Sequence, residues 1–143
     1  DTLGRTGPVV VGVDGSGNSQ QAVALAFTEA EIRGAEVVAV HAWSDASQFS
    51  LPTIEFQAVA EAEEALVSAA LAGARQDHPD VPVQTVIVRD RPAQNIVEQA
   101  ANAQLVVVGS HGRGGFKGML IGSTSRAVVQ NAECPVIVVR QRK

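Results

Sequence analysis

The chain has 143 residues, a length that suits one domain with a single hydrophobic core. Apolar residues make up 45% of the sequence, and no apolar run approaches the roughly 20 residues that a membrane-spanning helix needs. The formal net charge is −4. These features argue against a membrane partner and against a general nucleic-acid coat, which needs a basic face.

The start of the chain and its cysteine content indicate the domain organisation and the cellular compartment. The sequence lacks an initiator methionine and a basic-then-apolar signal-peptide pattern. We interpret residues 1–7 as a linker or a frayed N-terminus and residues 8–143 as one domain, standing alone or beside a tandem twin. Cys134 is the only cysteine, so no internal disulfide can form. A single thiol fits a reducing compartment, and we expect a cytoplasmic location.

The first predicted strand is Val9–Val13, which is apolar on both faces as a buried parallel strand is. A turn at residues 14–19 leads into a helix that runs to about Arg33. Gly34 is placed to end this helix. The second predicted strand is Val37–Trp43.

A polar loop and a long helix, residues 54–77, follow. The apolar stripe of this helix is predicted at Val59, Ala62, Leu66, Ala69 and Ala70. Four acidic residues lie in its first half: Glu55, Glu61, Glu63 and Glu64. Acidic groups near a helix start suit its dipole, so we interpret all four as solvated side chains.

The third predicted strand is Val83–Val88. Pro92 then fits the first turn of a third helix, where a missing N–H costs nothing. The fourth predicted strand is Leu105–Val108, and Gly109 ends it. A glycine-rich loop follows.

The last two predicted elements are a helix capped by Ser123 and a strand at Val136–Val139. Strict alternation of strands and helices favours an α/β fold with right-handed crossovers. We therefore predict a Rossmann-like open parallel five-stranded sheet, in the order 3-2-1-4-5, with helices on both faces.

This strand order predicts a crevice at the carboxyl edge of the sheet. Strands one and four would be neighbours, and their connections would leave in opposite directions. Asp14 follows the first strand and Gly109 ends the fourth. Open α/β sheets bind ligands at such a point. Asp14 could also simply cap the first helix.

The loop after the fourth strand has the composition of an anion site. It runs from Gly109 to Gly122 and contains Arg113 and Lys117. Glycines let backbone N–H groups approach an anion, and the free N–H groups of a following helix favour phosphate. The alternative is a flexible loop that ends in an ordinary serine cap.

Two other phosphate motifs are absent. A Walker loop needs Gly-Lys followed by Ser or Thr, but here Lys117 precedes Gly118 and Met119 follows. A dinucleotide fingerprint starting at Gly15 would need glycine at position 20, which is Gln20.

Three segments together resemble the universal stress protein family over nearly the whole chain. Residues 11–16 read Val-Gly-Val-Asp-Gly-Ser, and residues 134–139 read Cys-Pro-Val-Ile-Val-Val. Between them stands the pattern of the family's ATP-binding members: Gly, two residues, Gly, nine residues, Gly-Ser. Its glycines here are Gly109, Gly112 and Gly122.

The resemblance implies a bound ATP, with Mg²⁺ on its phosphates. Asp14 would lie near the ribose, and the end of strand two, at Val40 and His41, near the adenine. The full set of implied nucleotide-binding residues is Gly12, Val13, Asp14, Val40, His41, Gly109, His111, Gly112, Arg113, Gly122, Ser123, Thr124 and Ser125. No catalytic or metal-ligating side chain is assigned.

The resemblance also implies a homodimer through the last strand, and an exposed edge strand is suited to such pairing. It further implies a stress-response or signalling role through nucleotide occupancy and dimer state. One departure is visible: the family usually has glycine before Pro92, where this chain has Arg91. The shape of that turn is therefore open.

Two other functions remain open at the level of sequence. One is a regulatory interaction module that binds no nucleotide. The other is a slow ATPase or autokinase, although phosphoryl transfer usually needs a positioned base and metal-binding carboxylates. Asp14 is the one well-placed acid, so enzyme activity is not expected to be the main function. A related nucleotide such as cyclic AMP is a further alternative ligand.

Overall fold

The computed structural model describes residues 7–13, 17–43, 53–89, 91–109 and 123–139, so almost all of the predicted linker, residues 1–7, lies outside them. The elements, in chain order, are β1 (Val9–Gly12), α1 (Gly17–Arg33), β2 (Val37–Trp43), α2 (Thr53–Asp77), β3 (Val83–Arg89), α3 (Pro92–Ala100), β4 (Leu105–Gly109), α4 (Ser123–Asn131) and β5 (Val136–Val139).

The strands form one parallel sheet in the order β3-β2-β1-β4-β5. β1 lies at its centre, where Val10 pairs with Val38 of β2 on one side and with Val106 of β4 on the other. The predicted α/β class and strand order are confirmed.

Two apolar layers hold the helices against the sheet, because successive strand side chains point to opposite faces. Val11 and Ala39 pack with residues of α1 and α2. Val10 and Val38 pack with residues of α3 and α4. The three valines of β1 are completely buried, which explains why this strand is apolar at every position.

The buried stripe of α2 differs from the predicted one. Val67 and Leu71 are buried, whereas Ala62 and Ala69 are exposed. Alanines occur all round this helix and select no face, so the larger side chains decide which side turns inward. Glu63 lies four residues before Val67 and therefore on the buried side.

Two helix ends show how the backbone accommodates the sequence. Gly34 follows α1 with φ 65°, the left-handed conformation that glycine favours, as predicted for a helix stop. Arg91, immediately before α3, has φ 59° and ψ 57°. The turn before Pro92 thus has the backbone shape that glycine would favour, although an arginine occupies it.

A polar network fixes the amino edge of the sheet. Gln104 is a buried polar residue whose Nε2 donates to the carbonyl of Gly7 (2.8 Å). Its Oε1 accepts a hydrogen bond from Nη1 of Arg33 (3.1 Å), and its backbone N–H donates to the carbonyl of Pro8 (3.0 Å). The chain entering β1 is therefore held to the loop before β4.

The helices of the domain differ from membrane-spanning helices. In the described part of the chain, none combines the length and apolar character that crossing a bilayer requires.

Candidate functional site

The carboxyl ends of β1 and β4 lie side by side, at the place where the sequence predicts a crevice. The strands are neighbours, with Val11 paired to Val107, and α1 and α4 pack against opposite faces of the sheet. Neighbouring strands whose following helices lie on opposite faces mark the point where open α/β sheets bind ligands.

The structure describes some of the predicted site residues and not others. Those described are Gly12, Val13, Val40, His41, Gly109, Thr124, Ser125 and the backbone of Ser123. The other predicted residues, Asp14, His111, Gly112, Arg113 and Gly122, lie outside the described ranges.

Gly12 has a packing reason to be glycine. A Cβ atom there would lie 3.0 Å from Cδ1 of Ile96 and 3.5 Å from Cγ1 of Val108. The close approach of α3 to the end of β1 therefore leaves little room for a side chain. This packing adds to the nucleotide role predicted for Gly12.

The backbone of Val13 is held by β2. Its N–H donates to the carbonyl of Val40 (2.9 Å), and its carbonyl oxygen lies 2.6 Å from Nδ1 of His41. The side chains of Val13 and Val40 are both buried, in opposite layers of the core. Any ligand at this edge would therefore meet the two valines through their main chains.

His41 is completely buried and has a partner on each ring nitrogen. Besides Val13, it contacts Glu63 of α2, with 2.5 Å between Nε2 and Oε1. The Glu63 side chain is 19% exposed, so its interpretation as a solvated residue was wrong. The helix dipole acts only within about one turn, and Glu63 lies well beyond the first turn of α2.

Sequence reasoning missed this contact because the predicted α2 stripe was rotated relative to the observed one: Leu66 and Ala70 are half-buried, but the centre of the buried face lies at Val67 and Leu71. If the stripe is aligned on Val67 and Leu71 instead, Glu63 becomes an acid on an apolar face. An acid in that position requires a polar partner, and His41 is a polar residue in the otherwise apolar strand β2. An acid on the apolar face of a helix, together with a histidine in an apolar strand, was the sequence signal for this contact.

The two described ends of the glycine-rich segment are close together. Ser125 is buried in the first turn of α4, and its hydroxyl donates to the carbonyl oxygen of Gly109, the last residue of β4. Thr124 is half-buried beside it. The start of α4, with its free N–H groups, is thereby held near the crevice.

Within the described residues, no group of three or more His, Cys, Asp and Glu side chains is arranged to hold a metal ion.

Comparison with known proteins supplies an independent result. A family model described as the universal stress protein family matches residues 6–140 of this chain. A universal stress protein of Mycobacterium bovis is 55% identical over 134 residues, a match that covers 94% of this chain and 45% of that relative. The chain thus spans less than half the length of this relative.

Solved structures share the fold. The universal stress protein UspA from Lactobacillus plantarum has a TM-score of 0.78 at 26% identity, covering 95% of this chain and 99% of that one. A universal stress protein in complex with cAMP has a TM-score of 0.70 at 26% identity, covering 93% of this chain and 96% of that one.

Proposed function

This chain belongs to the universal stress protein family, and we propose that it is one of the members that bind ATP. The observation that carries the proposal is the glycine motif between Gly109 and Ser123, set between strand and helix ends that are held together. Such an arrangement brings backbone N–H groups to phosphate oxygens. A similar protein of known structure holds cAMP, which also has an adenine and a phosphate.

The proposed roles follow the chain. Asp14 holds the ribose, and the main chain at Val40 and His41 contacts the adenine. The His41 side chain is assigned elsewhere, because both of its ring nitrogens already have partners.

The phosphates are proposed to lie on the glycine segment and the start of α4. Its contributing residues are Gly109, His111, Gly112, Arg113, Gly122, Ser123 and Thr124. Backbone N–H groups and hydroxyls suit phosphate oxygens. Mg²⁺ is proposed to accompany ATP, bound mainly by the phosphate oxygens, where it would neutralise part of their charge.

We further propose that nucleotide occupancy controls a homodimer formed through β5, in a cytoplasmic stress response. β5 lies at the edge of the sheet, and its four residues are half-buried. An edge strand presents unpaired N–H and C=O groups to a second copy. Analytical ultracentrifugation at micromolar concentration is expected to give twice the chain mass, and a monomer would contradict the dimer.

The ATP proposal is tested by denaturing the purified protein and identifying any released nucleotide by mass spectrometry. The test variant is Gly122→Val, which blocks the close backbone approach at a motif glycine. The matched control is Gly115→Val, which changes a glycine of the same segment outside the motif spacing. ATP, AMP and cAMP are then titrated by calorimetry.

We expect ATP in the wild type and in Gly115→Val, and a loss of at least tenfold in affinity in Gly122→Val, about 1.4 kcal/mol. If the protein binds cAMP more tightly than ATP, cAMP becomes the proposed ligand. A wild type that is empty and binds none of the three nucleotides would overturn the proposal and leave an interaction module.

A further inference from the structure

The contact between His41 and Glu63 joins three elements at the edge where the nucleotide is proposed to bind. His41 lies in β2, Glu63 in α2, and Val13 follows β1 directly. The imidazole lies between the other two, 2.6 Å from the Val13 carbonyl oxygen and 2.5 Å from the Glu63 carboxyl. It is completely buried.

The hydrogens shared among Val13, His41 and Glu63 can be deduced from the atoms that accept them. A carbonyl oxygen only accepts, so Nδ1 of His41 must carry a hydrogen and donate it to Val13. A second hydrogen must lie between Nε2 and the Glu63 carboxyl, on either atom, because two lone pairs would otherwise face each other at 2.5 Å. The Val13 carbonyl thus requires the form of the ring that donates through Nδ1, and the bond between Nε2 and Glu63 holds the ring in the orientation for that donation.

β2 thereby holds both peptide groups that flank the Cα atom of Val13. The N–H is bonded to the carbonyl of Val40, and the carbonyl oxygen to His41. The next residue is Asp14, which is proposed to hold the ribose. The orientation of the imidazole thus helps to fix the peptide group that follows Val13.

We propose that Glu63 is a positioning residue for the nucleotide site: through His41 it fixes the carbonyl of Val13, and with it the end of β1. The inference depends on the proposed function, because its consequence is a change in nucleotide affinity. Glu63 itself is not proposed to contact the nucleotide. Its effect comes from the hydrogen bond and not from its charge.

Two substitutions distinguish an effect of the hydrogen bond to His41 from an effect of the negative charge of Glu63. Glu63→Gln keeps the length of the side chain and can donate from its amide to Nε2 of a neutral ring, so the chain of hydrogen bonds persists. Glu63→Asp keeps the charge but is one methylene shorter and loses the contact. The matched controls are Glu64→Gln and Glu64→Asp, at the exposed neighbouring position.

ATP affinity is measured by calorimetry for the five proteins, with thermal unfolding to confirm that each is folded. Glu63→Gln is expected to bind within about twofold of wild type, and Glu63→Asp about tenfold more weakly, the equivalent of one hydrogen bond. Both Glu64 variants are expected to bind like wild type.

A spectroscopic measurement accompanies the titration. ¹⁵N NMR of the histidine ring is expected to show a protonated Nδ1 at His41 in wild type and in Glu63→Gln. In Glu63→Asp we expect that preference to weaken, which a purely structural role of the helix would not produce.

The outcomes are distinct. If wild type binds ATP and Glu63→Asp binds equally well, the inference is overturned and the proposed function stands. Weak binding by Glu63→Gln together with wild-type binding by Glu63→Asp would also overturn it, in favour of an effect of charge. If wild type binds no nucleotide, the proposed function and this inference both fail.

Discussion

The hydroxyl of Ser125 donates a hydrogen bond to the main-chain carbonyl oxygen of Gly109, the last residue of β4. The two residues are 16 positions apart. The bond is partly buried, with Ser125 itself buried, and it connects the start of α4 to the end of the strand. Ser125, predicted as one of the nucleotide-binding residues, therefore has a role in bringing the ends of the glycine-rich segment together.

Ser125→Ala is expected to lower the free energy of unfolding by about 0.5–1.5 kcal/mol, because it removes one partly buried hydrogen bond. ATP affinity should fall with it, since α4 is no longer held to β4. Urea denaturation and calorimetry measure the two effects.

Thr124→Val is the comparison, since it removes a hydroxyl from a half-buried position while keeping the shape of the side chain. It is expected to reduce ATP affinity with little change in stability. Unchanged stability in Ser125→Ala would contradict the structural role of its hydroxyl.

Arg91→Gly is expected to stabilise the protein. Arg91 adopts φ 59° and ψ 57°, a conformation that costs a residue with a Cβ atom about 1–2 kcal/mol. Glycine removes that cost but loses about 0.5–1 kcal/mol of chain entropy, so the expected net gain is at most about 1.5 kcal/mol. Urea denaturation midpoints give the change in stability.

Arg91→Ala serves as the control, because it removes the guanidinium and leaves the left-handed backbone strained. It should be no more stable than wild type. Equal stabilisation by the two variants would assign the gain to loss of the arginine side chain.

Gly12→Val and Gly73→Ala are expected to change stability in opposite directions. A side chain at Gly12 meets Ile96 and Val108, and overpacking of this kind costs about 1–3 kcal/mol. A Cβ at Gly73, within α2, meets nothing within 4 Å, so alanine there should gain about 0.5–1 kcal/mol of helix stability. Thermal unfolding of the two variants measures the loss expected for Gly12→Val and the gain expected for Gly73→Ala. If Gly12→Val leaves stability unchanged, packing does not explain the glycine at that position.

Much of the fold was predictable because its signals are local. The apolar run at Val9 to Val11 requires burial on both faces, and Gly34 ends α1 in the conformation that its lack of a Cβ permits. Strands separated by helices then leave the parallel sheet as the natural arrangement.

The contacts of the site were less predictable because they join residues distant in sequence. The partners of His41 are Val13, just after β1, and Glu63 in α2, and no spacing rule connects them. The role of Glu63 depended on which side of an alanine-rich helix faces the sheet, and small side chains leave that side ambiguous. The carbonyl that accepts the Ser125 hydroxyl lies on the far side of the glycine-rich segment.

The anchoring of Gly7 by Gln104 has a practical consequence for protein engineering. Gly7 precedes β1, so a fluorescent or affinity module fused ahead of it is attached at the amino edge of the sheet. The four-residue rise of β1 places this attachment point about 13 Å or more from the carboxyl edge. The attachment point itself is rigid, since both Gly7 and Pro8 are hydrogen-bonded to Gln104. A donor dye placed there would report the distance to a labelled nucleotide from a fixed origin on the opposite edge of the sheet.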